Sequence, residues 1–377
     1  MKILQVISSL NRSSGGTSSC TYQLVEALNS IGCSTDILTL APRGKYEKMV
    51  GYGAFVHAFP YDACSPLHVS LNIRWELKKA NYDLFHANGL WEDVVHATCA
   101  TARKRGIPYV LSLHGALYPQ ALAISPVRKK VALALGYRKD IASAACLHAT
   151  SIAEMEHIRA AGFRNPIAVI PNPIEIPQNL PSKKIPEGAP FRVGFLGRFH
   201  PIKNIDLLIK AWAAAGLKNA ELLLYGDGAP AYISELQSLV NELQLTNVRF
   251  MGFVNGLEKY QALAKLDVLC APSKQENFGM SIAEALIAST PVIASTDTPW
   301  QELHTHRCGW WIPATLTELT ETLATVHALN RAELVEMGRR GQVLMMKKYS
   351  SSVVADMMQS LYSHILNNSE KPDFVYT

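Results

Sequence analysis

Two glutamates stand eight positions apart in the segment Pro272-Ser273-Lys274-Gln275-Glu276-Asn277-Phe278-Gly279-Met280-Ser281-Ile282-Ala283-Glu284-Ala285. A short apolar run ending at Cys270 precedes it, and Gly279 opens a run of good helix formers, Met280 to Ala288. The spacing predicts Glu276 on a loop and Glu284 within a helix. From there each carboxylate can accept hydrogen bonds from a different hydroxyl-rich part of one elongated ligand. Free amides at the start of such a helix, together with its dipole, suit a phosphate. Taken singly, Glu276 is equally a dipole-complementing acid and Glu284 a solvated helix charge.

A second group, Gly197-Arg198-Phe199-His200-Pro201-Ile202-Lys203-Asn204, also falls between a strand run and a helical run. Arg198 offers a planar fork of donors and Lys203 a compact ammonium. Two cations at one turn suit a diphosphate and would stabilise the charge that grows on it as a leaving group. Gly15-Gly16-Thr17 would let a ligand approach the backbone of the first helix entry. No G-x-G-x-x-G is present there, and no acid follows the second strand at Leu40-Ala41-Pro42, which argues against a nicotinamide dinucleotide. His114, after the strand ending at Leu113, is placed to hydrogen-bond a sugar hydroxyl or to cap the turn. The histidines form no metal-ligand spacing, His304-x-His306 included, and no two aspartates stand two apart to make a D-x-D. No metal site is expected.

The elements that must hold these residues alternate between strand and helix. Ile3-Leu4-x-Val6-Ile7, Ile37-Leu38-Thr39-Leu40, Asp83 to Ala87, Pro108 to Leu113 and Ile167 to Ile170 read as strands. Helical spacing fills the intervals at Tyr22 to Ile31 and at Trp91 to Arg105. Six prolines in residues 171–190 mark a linker. The alternation restarts with Phe191 to Leu196, Glu221 to Tyr225, Val248 to Phe250, Asp267 to Cys270 and Pro291 to Ala294. Two parallel α/β units are therefore expected, with ligands in a cleft at the carboxyl ends of their strands. Val353, Met357, Leu361 and Ile365 predict a closing helix, and the tail beyond Asn367 is expected to fray.

Composition agrees with a globular chain. It has 377 residues, 48% hydrophobic and 18% charged, and no apolar run of the roughly 18 residues that cross a bilayer. The N-terminal run is too short and interrupted for a signal peptide, so a cytoplasmic location is expected. Seven cysteines, none closer than 13 positions to the next, read as free thiols. Residues 1–180 hold 18 Lys+Arg against 12 Asp+Glu, and the rest 18 against 19. The basic half is either ordinary variation or a face for an anionic partner. Within it, Ser125 to Lys139 mixes five cations with apolar residues, as in a basic amphipathic helix that touches an anionic membrane surface or as in a solvated helix.

Taken together, these segments resemble those of the retaining glycosyltransferases of family 4. Glu276-x7-Glu284 resembles the E-x7-E signature, with Pro272-Ser273 before it, Phe278-Gly279 inside it and Pro291-Val292-Ile293-Ala294 after it. Gly197-Arg198 with Lys203 resembles the G-R-x4-K segment, and Tyr225-Gly226-Asp227-Gly228 a G-x-G turn. Phe250 to Val254 resembles the stretch near the nucleobase, and Ile170-Pro171-Asn172-Pro173 a domain-end motif. The likeness covers roughly residues 1–365.

The resemblance implies a GT-B fold, two Rossmann-like doubly wound parallel-sheet domains facing a central cleft. The domains would be 1–175 for the acceptor and 191–350 for the nucleotide sugar, with the helix of 351–377 packing back on the first. It implies transfer from a nucleotide diphosphate sugar, a UDP-sugar being favoured, to a saccharide or lipid-linked acceptor in polysaccharide or glycoconjugate synthesis. Glu284 would bind the ribose, and Arg198 and Lys203 the diphosphate. Glu276 would grip the donor sugar with Asn277, Phe278, Gly279 and Met280, and His114 would contact it from the first domain. Gly16, Gly226 and Val254 would complete the donor site. No cofactor, metal or nucleic acid is implied, and membrane contact would be peripheral. Two rival readings are a nucleotide-sugar epimerase on the same fold and a non-enzymatic sugar-binding protein.

Overall fold

In the computed structural model, which describes residues 1–11, 16–41, 53–61, 69–183, 185–186 and 188–377, the short apolar runs become strands of two separate sheets. The chain divides into Met1–Glu175 with Tyr349–Thr377, and Ile176–Lys348. Gly15 and Pro42 lie outside the described residues, as does Cys64; the other six cysteines are buried and free.

The first unit contains β1 (Lys2–Ile7), β2 (Ser34–Ala41), β3 (Val56–Pro60), β4 (Leu84–Asn88), β5 (Tyr109–Ser112), β6 (Cys146–Ala149) and β7 (Ile167–Val169). They lie parallel in the order β7-β6-β5-β4-β1-β2-β3. Every residue of β4, β5 and β6 is buried, as helices on both faces of a sheet require. Strand order reverses between β1 and β4, which makes the carboxyl ends there the natural crevice.

The second unit contains β8 (Phe191–Leu196), β9 (Ala220–Tyr225), β10 (Val248–Gly252), β11 (Val268–Ala271), β12 (Val292–Ser295) and β13 (Gly309–Ile312), all parallel in the order β10-β9-β8-β11-β12-β13. Its reversal falls between β8 and β11, the two strands whose following loops carry Lys203 and Glu276. The proline-dense stretch holds Lys183, whose buried ammonium donates to the Leu266 carbonyl at 2.6 Å and to Thr290 Oγ1 at 2.8 Å. Burial lowers its pKa to about 7.

After Lys348 the chain returns to the first unit. The helix Ser351–Asn367 buries Val354, Ala355, Met358, Leu361 and Tyr362 in one cluster with Leu24, Ala27 and Leu28 of the helix Gly16–Ser30. The tail does not fray. Val375–Tyr376 forms β14, antiparallel to β7, with the Val169 amide donating to the Phe374 carbonyl at 2.9 Å and Val375 only 3% exposed. It covers what would otherwise be an open sheet edge.

Ser125 to Lys139 is not one amphipathic helix either. It divides into Pro126–Ala132, a π turn Leu133–Tyr137 and the start of Arg138–Ala142. Gly136, at φ +130, breaks the helical path, and Tyr137 beyond it stacks on His96 at 4.9 Å between centroids. Among the described residues no helix is long and apolar enough to cross a membrane.

Candidate active site

The turn after β8 owes its shape to Pro201 and Asn204. Proline starts the one-turn 3-10 helix Pro201–Lys203, whose first free amide, that of Ile202, donates to His200 Nδ1 at 3.2 Å. Asn204 adopts φ +58, a left-handed conformation that asparagine tolerates, and opens the helix Ile205–Ala215. Two hydrogen bonds fasten this turn to the loop after β11. Asn204 Nδ2 donates to the Pro272 carbonyl at 3.2 Å, and the Lys274 amide donates to the Ile202 carbonyl at 2.8 Å.

Through that fastening Lys203 reaches Glu276. The ammonium donates to Glu276 Oε1, which also accepts from Ser273 Oγ at 2.8 Å. The two side chains are 22% and 12% exposed. At such burial attraction and lost hydration roughly cancel, so the pair sets geometry more than stability. Arg198, in the same loop after β8, is exposed. His200 feels both cations: its pKa is lowered, by desolvation first and then by Arg198 and Lys203. The turn is a positive one.

The loop itself is pinned from below. Phe278 is buried against Trp300, ring centroids 5.4 Å apart, and the Trp300 indole donates to the Phe278 carbonyl. Gly279, at φ +86, then turns the chain into the helix Met280–Ile287. A side chain on Gly279 would meet Ile282 and Trp300 at 3.1 Å. Asn277 and Met280 flank this turn, both half-buried. Glu284, one turn further on, is not a solvated charge: Lys259 Nζ, from the helix Gly256–Ala264, donates to its Oε1 at 2.6 Å. Lys259 belongs to no motif and had no signal in the sequence.

Gly226 serves by being small. A methyl there would lie 1.9 Å from the Gly197 carbonyl oxygen, and its φ is +147. Its amide donates to the Gly252 carbonyl at 2.8 Å and is therefore engaged within the protein. The Phe199 amide donates to the Asp227 carbonyl at 2.7 Å, so the turns after β8, β9 and β10 form one tight layer. Val254 follows that layer, half-buried beside the exposed Phe253.

In the first unit, Gly16 is the exposed first residue of its helix. His114 follows β5 at φ +47, and its ring pairs with Asn88 Oδ1 at 3.2 Å. Burial, aided by His148, lowers the His114 pKa to about 3 and keeps the ring neutral. The buried Glu154 carboxylate accepts from the Gly115 amide at 2.5 Å and the Thr150 amide at 2.7 Å, binding the turns after β5 and β6 together. The structure thus places Arg198, Lys203, Gly226, Val254, Glu276, Asn277, Phe278, Gly279, Met280 and Glu284 in the second unit, joins Lys203 directly to Glu276, and leaves His114 and Gly16 to the first. Among the described residues no group of three or more His, Cys, Asp or Glu is arranged to hold a metal ion.

With this geometry in place, the chain can be compared with known proteins. Residues 190–329 match the family described as glycosyl transferases group 1, and residues 15–173 match a glycosyl transferase 4-like domain. A GDP-mannose-dependent alpha-mannosyltransferase of Mycobacterium tuberculosis is 31% identical over 160 residues, 42% of this chain and 39% of that protein. A phosphatidyl-myo-inositol mannosyltransferase of Mycobacterium leprae is 29% identical over 185 residues, 47% of each chain. These matches span less than half of either relative's length. Sucrose-phosphate synthase from Thermosynechococcus elongatus superposes with a TM-score of 0.78 at 20% identity, covering 98% of this chain and 100% of that one. HepE of Anabaena, solved with UDP and glucose, gives 0.76 at 24% identity, covering 96% and 99%. The fold is the two-domain α/β arrangement of these transferases.

The layer at Gly226 carries a stability prediction. Gly226→Ala is expected to destabilise the protein by about 2–3 kcal/mol, from overlap with the Gly197 carbonyl and an unfavourable φ. Denaturant titration checks it. An unchanged midpoint would show that the turns do not pack as described.

Proposed function

Because the chain belongs to the group 1 glycosyl transferases, we propose that it transfers a hexosyl group from a nucleotide diphosphate sugar to a saccharide or lipid-linked saccharide, with retention and without a metal. The observation that carries this reading is the Lys203–Glu276 pair, which joins the Arg198 loop to the loop before the helix Met280–Ile287 at the strand-order reversal. These two loops carry three kinds of positive end: a guanidinium, an ammonium and the amides of a helix N-terminus. Together they suit a pyrophosphate.

In the proposed reaction the diphosphate takes Glu276's place as the partner of Lys203. Glu276, still held by Ser273, then accepts from the donor sugar's hydroxyls. Glu284, oriented by Lys259, accepts from the ribose hydroxyls. The anomeric carbon–oxygen bond to phosphate breaks, and the cationic groups stabilise the negative charge that grows on the departing oxygen. The acceptor hydroxyl forms its bond on the same face, and its proton passes to the departing phosphate oxygen. No nucleophilic role is assigned to Glu276. Neutral His114 and the exposed Gly16 stay candidates within the first unit.

UDP-sugars are favoured as donors. HepE binds UDP and one relative is named for GDP-mannose, so both nucleotides belong in any test. Thermal-shift measurements are expected to show stabilisation by UDP-sugar in the wild type and its loss in Lys203→Ala. Turnover in Lys203→Ala and in Glu276→Ala is expected to fall about 100- to 1,000-fold with the fold kept. Near-normal rates in either variant contradict the site, and turnover of the nucleotide sugar without acceptor would favour an epimerase.

A membrane-facing role for the first unit has its own support. Ile124, Val127, Val131 and Leu135 are 68, 72, 51 and 74% exposed, among exposed Arg128, Lys130, Arg138 and Lys139. The segment has no acid before Asp140, which is buried and paired with Arg103. Apolar side chains ringed by cations suit an anionic bilayer surface, at the cytoplasmic face in this reading. Co-sedimentation with phosphatidylglycerol vesicles at low salt is expected for the wild type and lost in V127S/V131S/L135S. Equal indifference of both proteins to anionic and neutral vesicles contradicts it.

A further inference from the structure

A row of polar side chains crosses the interior of the first unit, where strands covered on both faces are otherwise apolar. Gln5 on β1, His86 and Asn88 on β4, Ser112 on β5, His148 on β6 and Tyr362 on the C-terminal helix are each 5% exposed or less. Burying so many polar groups is unfavourable unless each is hydrogen-bonded, and here each is.

The hydrogens in this row have one consistent arrangement. It starts at the Ile170 carbonyl, which can only accept, so His148 Nε2, 2.8 Å away, must carry a hydrogen. Burial lowers the His148 pKa to about 4 and holds that of His86 well below the ordinary value, so each ring is neutral and has one N–H. His148 Nδ1 is therefore bare and accepts from the Ser112 hydroxyl at 2.6 Å. With its hydrogen committed, Ser112 Oγ accepts from His86 Nε2–H at 2.6 Å. His86 Nδ1 accepts from the Tyr362 hydroxyl at 2.7 Å and from Gln5 Nε2 at 3.0 Å. Tyr362 in turn accepts from Gln5 Nε2 at 2.8 Å. That fixes the Gln5 amide, whose Oε1 accepts from Asn88 Nδ2 at 2.6 Å. The second amide hydrogen of Asn88 goes to the Val6 carbonyl at 3.3 Å, so its Oδ1 faces His114 Nε2 as an acceptor at 3.2 Å.

We propose that this row is a positioning relay: anchored on the Ile170 carbonyl, it locks His114 in the tautomer with hydrogen on Nε2 and a bare Nδ1, and Asn88 is the positioning residue that sets it. His114 then meets substrate as a hydrogen-bond acceptor, a ring nitrogen suited to a hydroxyl. The encounter with a donor-sugar hydroxyl rests on the function proposed above; the tautomer does not.

The test uses the full chain with 15N-labelled histidine and long-range proton–nitrogen correlation spectra. His114 is expected to show a protonated Nε2 and an unprotonated Nδ1, and Asn88→Ala to move both nitrogens toward a tautomer average. Should Asn88→Ala not fold, the near-isosteric Asn88→Leu removes the same acceptor and is expected to move both nitrogens in the same way. Tyr362→Phe is expected to keep the wild-type pattern, since Gln5 Nε2 still reaches His86 Nδ1. A wild-type ring protonated on Nδ1, or a pattern unmoved in Asn88→Ala, overturns the relay. Kinetics supply a second readout. Asn88→Ala is expected to lower kcat/KM about tenfold, and H114A/N88A to lose no more than His114→Ala alone. Equal Asn88 effects in both backgrounds would mean that Asn88 does not act through His114. Unchanged rates in His114→Ala, with the spectra as expected, would remove His114's role in the reaction and leave its tautomer assignment standing.

Discussion

The candidate site depends on two hydrogen bonds that carry no charge. Asn204 to the Pro272 carbonyl and the Lys274 amide to the Ile202 carbonyl tie the loops after β8 and β11 into one piece. With them in place a lysine meets a glutamate 73 positions along the chain. The strand-order reversal places those two loops side by side, and the backbone fastening fixes their spacing. Electrostatics then works on a geometry already set, which is how a site holds charges ready without reorganising.

The two units use polar groups in contrasting ways. In the second, each candidate carboxylate has one lysine partner, Glu276 with Lys203 and Glu284 with Lys259, so the acids are oriented and locally compensated. In the first, neutral groups do the orienting, through a hydrogen-bonded row that ends on a backbone carbonyl. Ion pairs suit a place that exchanges partners with a charged ligand. A neutral row suits a fully buried interior, where an unpaired charge would be strongly unfavourable.

Much of this was legible in the residues and some was not. Apolar runs such as Phe191 to Leu196 revealed their strands because both faces are covered, and the Glu276-x7-Glu284 spacing revealed a loop acid and a helix acid. β6 escaped notice because His148 interrupts its apolar pattern, and that histidine is buried only through partners on other strands. β3 is a partly exposed edge strand ending in proline, with too little burial to leave a pattern. Gly136 looked tolerable within a helix until its φ proved otherwise, and β14 depends on an edge made by distant residues. Lys259, Asn88 and Glu154 act by contacts across 25 or more positions, which no local pattern encodes.

In the proposed reaction Lys203 exchanges one anion for another, leaving Glu276 for a diphosphate. A crystal structure of the protein with UDP tests it most directly. The diphosphate is expected beside Lys203, Arg198 and the first amides of the helix Met280–Ile287, with Glu276 Oε1 no longer bonded to Lys203 and still accepting from Ser273. A nucleotide bound away from Arg198 and Glu284, or one bound there with the Lys203–Glu276 contact intact, would contradict it.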